Sequence, residues 1–321
     1  MPTINTTTMK GIGHVGNLGS TEIVRDNLID FFDWGLIDNG GYSNINIPKS
    51  GVYGGNYERL RPVIDTRYSN GQVWEGFRKN WVWESGLTNT PAPIKISGVY
   101  VNGNFKPSSG VAFPHTVNYP LGRVVFNTAI PTSSVVNIEY SPKYVQVFNI
   151  NDIPGLRQVQ YGSFRIDEGT FFSPSGNWTI PSENRVQMPA IGISVGGVES
   201  YKPLQLGGGQ YKYNEVFAYI FSEDESIGLR LGDYLSQQKE KVINLYDENR
   251  MNTENRVQLN HNGSIAAGAK TYYDLVQPSS EGGYAYKTLY FKDAQVIASQ
   301  WINPNLYYSL VKFKTEITID V

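Results

Sequence analysis

The 321-residue chain contains no cysteine, and charged residues make up only 17% of it. Without cysteine there are no disulfides, no thiolate metal sites and no thiol nucleophile. The 27 Lys and Arg nearly balance the 29 Asp and Glu, for a net charge of −2. This balance argues against tight nucleic-acid binding, which depends on basic side chains that neutralise phosphates. The three histidines, His14, His115 and His261, are far apart in sequence and leave little material for a histidine-rich metal site.

Long apolar runs are also missing from the sequence. No stretch approaches the roughly 18 consecutive apolar residues that would indicate a membrane-spanning helix. The segment from Met1 to Lys10 lacks the apolar core of a secretory signal. We therefore expect no membrane association, and a protein that is soluble or is held in an assembly by protein contacts. At about 150 residues per domain, the length predicts two domains.

Tyrosine and glycine are plentiful. The chain has 22 Tyr, 14 Phe, 6 Trp and 33 Gly. The glycine content and the recurring Asn-Gly pairs are typical of a β-rich chain with many turns. Tyrosine tolerates both burial and contact with water, and protein interfaces favour it for that reason. The composition therefore favours a protein whose surface is largely covered by partners.

The first half of the chain predicts a polar arm, one helix and a series of short strands. Residues 1–19 are small and polar, so we expect a flexible or partner-ordered arm. An amphipathic helix follows, and its apolar stripe (Val24–Phe32) is more typical of a core face than of a partner groove. Turn signals recur between residues 42 and 147, and Asn102-Gly103 predicts a type I′ hairpin. We assign residues 20–150 to a β-rich domain with an N-terminal helix.

The second half, residues 151–321, predicts a mixed α/β domain. Residues 188–195 and 211–221 have the pattern of strands, and a polar, glycine-rich connection joins them. Residues 242–246 predict a further strand. The alternation of residues 315–321 predicts that the chain ends in a strand.

One main helix is predicted in this second domain. Ser222 and Glu225 have the spacing of a capping box, with Ser222 as the N-cap. Apolar residues then recur every four positions, and the stripe fades so that the helix should end near Lys241. The fold class is therefore α+β, with a β-rich N-terminal domain followed by a mixed α/β domain that holds a sheet and one main amphipathic helix.

Two glycine-rich motifs are weak candidates for ligand binding. Gly11–Gly16 matches the G-x-G-x-x-G pattern of dinucleotide-binding folds, but no convincing strand precedes it and no acidic residue follows at the right place. Gly207–Gly209 lacks the Lys-Ser/Thr that completes a phosphate-binding loop. No catalytic motif of a hydrolase or metalloprotease is present in the sequence. We therefore predict no catalytic residue, no cofactor and no metal, and a protein that is not an enzyme.

An aromatic cluster leaves a second interpretation open. Trp74, Trp81 and Trp83 lie close together in sequence. Exposed aromatic rings can stack on sugars, whereas a buried aromatic cluster is the more usual arrangement. Carboxylates such as Asp247 and Asp274 could in principle form a pair for glycoside hydrolysis, although nothing in the sequence brings two of them together.

The stretch from Arg185 to Asn249 has a recognisable order of predicted elements: a strand, a glycine-rich connection, a second strand, an amphipathic helix and a further strand. The residues are Met188–Ile191, Leu206–Gly209, Phe217–Glu223, Leu231–Leu235 and Val242–Asp247. This order resembles the neck and tail-completion proteins of tailed bacteriophages, especially the tail terminators. The segment Tyr119–Phe126 is similar to phage connector and tail proteins.

This resemblance implies a mechanical function. Copies of the chain would form a homo-oligomeric ring in the virion, sealing the tail or joining it to the head, with heterologous contacts around the axis. Its other partners would be neighbouring neck, connector and tail-tube proteins. DNA would pass through the ring without specific binding, which suits a near-neutral chain.

Sheet edges and the glycine-rich connection supply the candidate interface, because an unpaired edge accepts a strand from a neighbour. The candidate residues are Gly207, Gly208, Gly209, Tyr211, Ile317 and Ile319. The alternative function, which rests on the tryptophans, is a tail or surface protein that binds or cleaves host glycans.

Overall fold

Two curled β-sheets and a few helices make up the protein, which confirms the predicted α+β class. The computed structural model describes residues 21–47, 57–87, 89–152, 159–160, 186–205, 208–254, 257–303 and 306–319. The predicted arm of residues 1–19 lies outside these ranges. The helices within them are α1 (Thr21–Asp38), α2 (Glu225–Ser236), α3 (Glu248–Thr253) and α4 (Tyr272–Leu275).

Short antiparallel strands form the first sheet, as predicted for the N-terminal half. They are β1 (Arg59–Pro62), β2 (Val73–Glu75), β3 (Gly98–Val101), β4 (Asn104–Pro107), β5 (His115–Asn118), β6 (Arg123–Phe126) and β7 (Val136–Asn137). Their spatial order is β4-β3-β7-β1-β2-β6-β5. The sheet curls so far that its two edge strands approach each other, and the amide of His115 donates to the carbonyl of Ser108 at 3.2 Å.

Aromatic side chains fill the interior of this curled sheet. Trp74, Trp81 and Tyr140 are completely buried, and the rings of Trp81 and Tyr140 lie 4.5 Å apart. Each indole N–H has a backbone acceptor, the carbonyl of Gly71 for Trp74 at 2.9 Å and that of Arg78 for Trp81 at 2.6 Å. Because the strands are short, burial of these large rings supplies much of the stabilisation of the domain.

The predicted hairpin at Asn102-Gly103 is confirmed. Strands β3 and β4 pair in antiparallel fashion, and Val101 lies opposite Asn104. Asn102 has φ of 49° and Gly103 has φ of 81°, as a type I′ turn requires at both central positions.

The second sheet is built mainly from two long hairpins. The strands of this half are β8 (Gln146–Asn149), β9 (Val159–Gln160), β10 (Val186–Gln187), β11 (Ala190–Gln205), β12 (Gly208–Ser222), β13 (Val242–Tyr246), β14 (Ala285–Asn303) and β15 (Leu306–Ile319). Six of them have the spatial order β13-β14-β15-β12-β11-β8, while β9 and β10 pair separately. All neighbours in the six-stranded sheet are antiparallel except β8 and β11.

The glycine-rich connection predicted after residue 195 is instead part of a hairpin. Strand β11 continues to Gln205, and β12 begins at Gly208. The pairing has irregularities near Val195 and Val198, where β11 carries extra residues relative to β12. Such bulges interrupt the alternation of side chains, which is why this half of the strand looked like a loop in the sequence.

Helices α1 and α2 cover one face of the six-stranded sheet. Leu28 and Phe32 of α1 and Leu235 of α2 join the core formed by the strands, and Phe32 contacts the rings of Phe291 and Phe313. The apolar stripe of α1 is therefore a core face, as expected. The sequence analysis grouped α1 with the β-rich domain of residues 20–150. The helix packs instead on the six-stranded sheet.

The predicted cap of α2 is wrong by two residues. Asp224 is the N-cap, and its side chain accepts from the amide of Ser226 at 2.7 Å. Ser222 is still the last residue of β12, and its hydroxyl donates to the carbonyl of Asp224 at 2.8 Å. The helix ends at Ser236, five positions before Lys241, because the apolar stripe ends there.

Two glycines in turns allow a test of the β-rich domain. Both Gly71 and Gly103 have positive φ, but a Cβ at Gly71 would collide with the carbonyl oxygen of Ile130, whereas a Cβ at Gly103 meets open space. Gly71→Ala should lower the free energy of unfolding by roughly 2–4 kcal/mol, and Gly103→Ala by about 1 kcal/mol. Chemical denaturation measures both, and equal losses would contradict the packing at Gly71.

Candidate functional site

In the part of the chain that the structure describes, one edge of the six-stranded sheet is open over most of its length. Strand β8 pairs only with the first four residues of β11, from Ala190 to Ile193. Among the described residues, no strand pairs with that side of β11 between Ser194 and Gln205. An open edge offers a row of backbone donors and acceptors to another strand.

The hydrogen-bond pattern identifies which groups point outward. The amide of Gln146 on β8 donates to the carbonyl of Pro189 at 3.1 Å. On β11, which begins one residue later, the odd-numbered residues therefore direct their backbone amides and carbonyls towards β8. Val195 continues this series beyond the end of β8. Its backbone amide and carbonyl therefore face the open edge.

The opposite side of the sheet has a second open edge. Strand β13 pairs with β14 from Ala285 to Tyr290, and the amide of Phe291 donates to the carbonyl of Lys241 at 2.9 Å while its carbonyl accepts from the amide of Glu240 at 2.7 Å. No described strand pairs with that side of β14 from Lys292 onward. Three successive antiparallel pairings separate β11 from β14, so the two open edges run in opposite directions.

The sheet face opposite the helices carries aromatic rings and lysines. The ammonium of Lys202 lies 5.3 Å from the ring centre of Tyr213, and that of Lys292 lies 5.0 Å from the same ring. Lys312 lies 5.7 Å from the ring of Phe217. Such half-buried rings with cations above them form an amphipathic surface that suits protein contact.

The predicted interface residues fall in several environments. Gly208 and Gly209 begin β12 at the tip of the long hairpin, and Tyr211 is half-buried on the face without helices. Gly207 lies outside the described residues. Ile319 ends β15 opposite Gln210, and its side chain is likewise outside the description. Ile317 is completely buried in the core of the six-stranded sheet, which corrects its assignment to the interface.

A charge cluster lies where α1 meets the β-rich domain, and the side chains of two of its members are buried while the two on α1 are half-buried. We call Asp30, Asp33, Glu84 and Lys143 the Lys143 cluster. The ammonium of Lys143 donates to Asp33 at 2.6 Å and to Glu84 at 2.8 Å, and the side chains of Lys143 and Glu84 are only 5% and 6% exposed. Burial alone would lower the pKa of Lys143, but the two carboxylates outweigh it and raise that pKa.

Asp30 is the carboxylate of this cluster that lacks a basic partner at bonding distance. The hydroxyl of Tyr246 donates to it at 2.8 Å. Burial raises the pKa of Asp30 to about 7, against the opposing effects of the Tyr246 hydrogen bond and the Lys143 charge. Burial also raises the pKa of Asp33, in spite of Lys143. The cluster therefore gains or loses a proton near neutral pH.

A cavity of about 200 Å³ adjoins the cluster, and its walls include Trp34, Trp83, Asn80 and Tyr272. Within the described part of the chain, no group of His, Asp or Glu side chains is arranged to hold a metal ion. The nearby carboxylates instead share one ammonium and one phenol. Their arrangement is that of a structural ion network with a protonatable member.

The aromatic cluster considered for sugar binding is largely internal. Trp74 and Trp81 are completely buried, and Trp83 is half-buried. The rings of Trp74 and Trp81 are therefore not available to stack on a ligand. The motif Gly11–Gly16 lies outside the described residues.

No protein-family model, no curated protein and no solved structure matches the chain. In the residues that the structure describes, no helix is long and apolar enough to cross a membrane.

Sequence reasoning did not find the open edge or the Lys143 cluster. Asp33 and Lys143 are 110 positions apart, and Glu84 and Lys143 are 59 apart, so no local motif connects them. The only local signal was the helical position of Asp30 and Asp33 beside an apolar stripe. The open edge follows from the short length of β8, which composition does not encode.

Removal of the ammonium of Lys143 tests how much the cluster contributes to the free energy of unfolding. Lys143→Met leaves Glu84 buried and Asp33 half-buried without their cation and should lower the free energy of unfolding at pH 7 by about 3 kcal/mol. The loss should shrink at pH 5, because carboxylates of raised pKa then take up protons.

The control for this variant is Lys239→Met. Lys239 pairs with Asp293 at the surface, where both side chains are about half exposed, so its loss should cost less than about 1 kcal/mol. Denaturation at both pH values compares the two variants. Equal small losses would mean that the Lys143 cluster contributes no more than a surface pair.

Proposed function

We propose that the protein is a structural component of a tailed-bacteriophage virion that forms an oligomeric ring at the neck, as a tail terminator or head-to-tail connector. In this function it joins or seals head and tail, contacts neighbouring neck, connector and tail-tube proteins, and lets DNA pass. The sequence resemblance suggests the family. The open edge of β11 is the observation that supports assembly most directly.

An edge that no described strand covers from Ser194 to Gln205 is a hazard for a free monomer, because such an edge templates pairing with any exposed strand. Natural proteins usually cover such an edge or blunt it. The irregularities near Val195 and Val198 curve β11, so a partner strand must match that curvature. This restricts pairing to a specific neighbour without removing the outward backbone groups of Val195.

The second open edge, on β14, can serve as the partner of the β11 edge of another copy. Because β11 and β14 run in opposite directions, the β14 edge of one copy can pair in antiparallel fashion with the β11 edge of the next. The two patches are different, so the contact is heterologous and repeats around an axis. A heterologous contact whose rotation closes gives a ring.

The charge of the chain is compatible with DNA passage. A net charge of −2 over 321 residues provides no strong attraction for phosphates. The lysines on the helix-free face are partly neutralised by acidic neighbours, since Lys292 lies 3.6 Å from Glu316 and Lys312 pairs with Glu215. DNA would therefore meet a surface that does not retain it.

Loss of one outward amide should weaken assembly. Proline at position 195 removes the N–H that faces the open edge, whereas alanine shortens the same side chain and keeps the N–H. We expect wild type and Val195→Ala to form rings in light scattering and negative-stain microscopy, and Val195→Pro to be mainly monomeric at the same concentration. A wild-type chain that stays monomeric, alone and with purified tail tubes, would overturn the proposed function.

Cysteine cross-linking can establish which edges meet, because the chain has no native cysteine. Ser194→Cys marks β11 and Gln300→Cys marks β14. A short bis-maleimide should join a mixture of the two variants to each other and leave each variant alone largely uncrosslinked. Efficient joining of Ser194→Cys to itself would indicate a twofold dimer through β11 and would contradict a ring built on these edges.

A further inference from the structure

The Lys143 cluster connects parts of the protein that are otherwise built separately. Asp30 and Asp33 belong to α1, which packs on the six-stranded sheet. Glu84 and Lys143 lie outside the strands, in segments that follow the buried Trp81 and Tyr140 of the β-rich domain. The ion pairs of Lys143 with Asp33 and Glu84 therefore bridge α1 and the β-rich domain.

The charges of the cluster do not balance when every member is ionised. Three carboxylates then face one ammonium, and among the described residues the hydrogen-bond donor of Asp30 is the hydroxyl of Tyr246 at 2.8 Å. The side chains of Lys143 and Glu84 are buried and Asp30 is half-buried, so an uncompensated charge among them is poorly hydrated and the closed arrangement favours a proton on one carboxylate. Asp30 is the member that takes it, because Asp33 and Glu84 already bind Lys143.

We propose that the Lys143 cluster is a proton-operated latch that holds the β-rich domain against α1 while Asp30 is protonated and loosens when that proton leaves. The latch belongs to the single chain and does not depend on the proposed ring. It adds a pH-controlled contact between α1 and the β-rich domain.

The surroundings of Asp30 set the pH at which the latch responds. Burial raises the pKa of Asp30 to about 7; the charges of Asp33 and Glu84 raise it, while Lys143 and the Tyr246 hydroxyl lower it. Other titratable groups lie nearby: the charge of Asp30 raises the pKa of Tyr272 on α4, and Glu248 on α3 and Asp26 on α1 act on its partner Tyr246. A cation on α1, Arg25, lies beside two of these acids, but its guanidinium pairs with Asp26 at 2.8 Å, so its charge is already shared with a carboxylate.

The sign of the pH dependence follows from these values. In the open state Asp30 meets water and ionises near its ordinary pKa of 3.8, whereas in the closed state it ionises near 7. Opening therefore becomes easier as pH rises from about 4 to about 7 and levels off above that range. Between pH 6 and pH 8 the opening equilibrium should rise about tenfold.

The cavity gives the open state a place for water. Its volume of about 200 Å³ exceeds the roughly 30 Å³ that one water molecule occupies in the liquid, and its walls include the polar side chains of Asn80 and Gln258. Water entering here can hydrate ionised Asp30. The contact between α1 and the Glu84 segment can then separate without unfolding of either core.

Amide hydrogen exchange at pH 6 and pH 8, corrected for intrinsic rates, tests the latch on the full chain. In wild type, protection of residues 80–87 should fall about tenfold at pH 8. Asp30→Asn imitates the protonated carboxyl, so its protection should stay at the pH 6 level. Asp26→Asn, on the same helix but paired with Arg25 at 2.8 Å, should behave as wild type. An unchanged pH response in Asp30→Asn, or none in wild type, would overturn the latch.

Tyr246→Phe gives a second measurement that does not depend on how well Asp30→Asn folds. The Tyr246 hydrogen bond favours the ionised form of Asp30, so its loss should raise the pKa of that carboxyl further. The pH at which protection levels off should then move above that of wild type. A shift to lower pH, or no shift, would assign the response to another group.

Discussion

The packing of α1 across the six-stranded sheet is the contact on which the rest of the structure depends. The ring of Phe32 packs against those of Phe291 and Phe313, which also contact each other, so residues more than 250 positions apart share one core. The side chain of Asn27 adds polar specificity, since it accepts from the amide of Tyr246 at 2.8 Å and donates to the carbonyl of Tyr246 at 3.1 Å. With α1 fixed in this way, Asp33 meets Lys143 of the β-rich domain, and Asp30 lies beside it with Tyr246 of β13 as its hydrogen-bond donor.

The same helix explains how two β-domains become one molecule. One side of α1 supplies apolar burial, which is non-directional and strong in sum, while another side supplies the charges that meet Lys143 and Glu84. The apolar side fixes where the helix lies, and the charged side makes the contact with the β-rich domain responsive to protons. The edges of β11 and β14 lie on the flanks of the sheet, away from this contact, and no other described strand pairs with their outer sides beyond β8 and β13.

Local signals predicted the elements that depend only on neighbouring residues. The type I′ hairpin at Asn102-Gly103 and the strand Val242–Tyr246 were found because turn chemistry and alternation are encoded within a few residues. The extension of β11 to Gln205 was missed because bulges break the period of two. The burial of Ile317 and the Lys143 cluster were missed because both depend on contacts between distant segments. The alternation of apolar and polar residues predicts a strand, but it does not show whether the apolar face is covered by the same chain or by a partner.

Strand β8 has a mechanical consequence. The chain passes from Lys143, in the β-rich domain, into β8 at Gln146 with almost no slack, and β8 is held by a parallel ladder to β11. A pull on the β-rich domain along that strand loads the ladder lengthwise, so its hydrogen bonds share the force and do not open one at a time. Tension would thus reach the long β11–β12 hairpin as shear. The short segment between Lys143 and Gln146 would stretch little under that load.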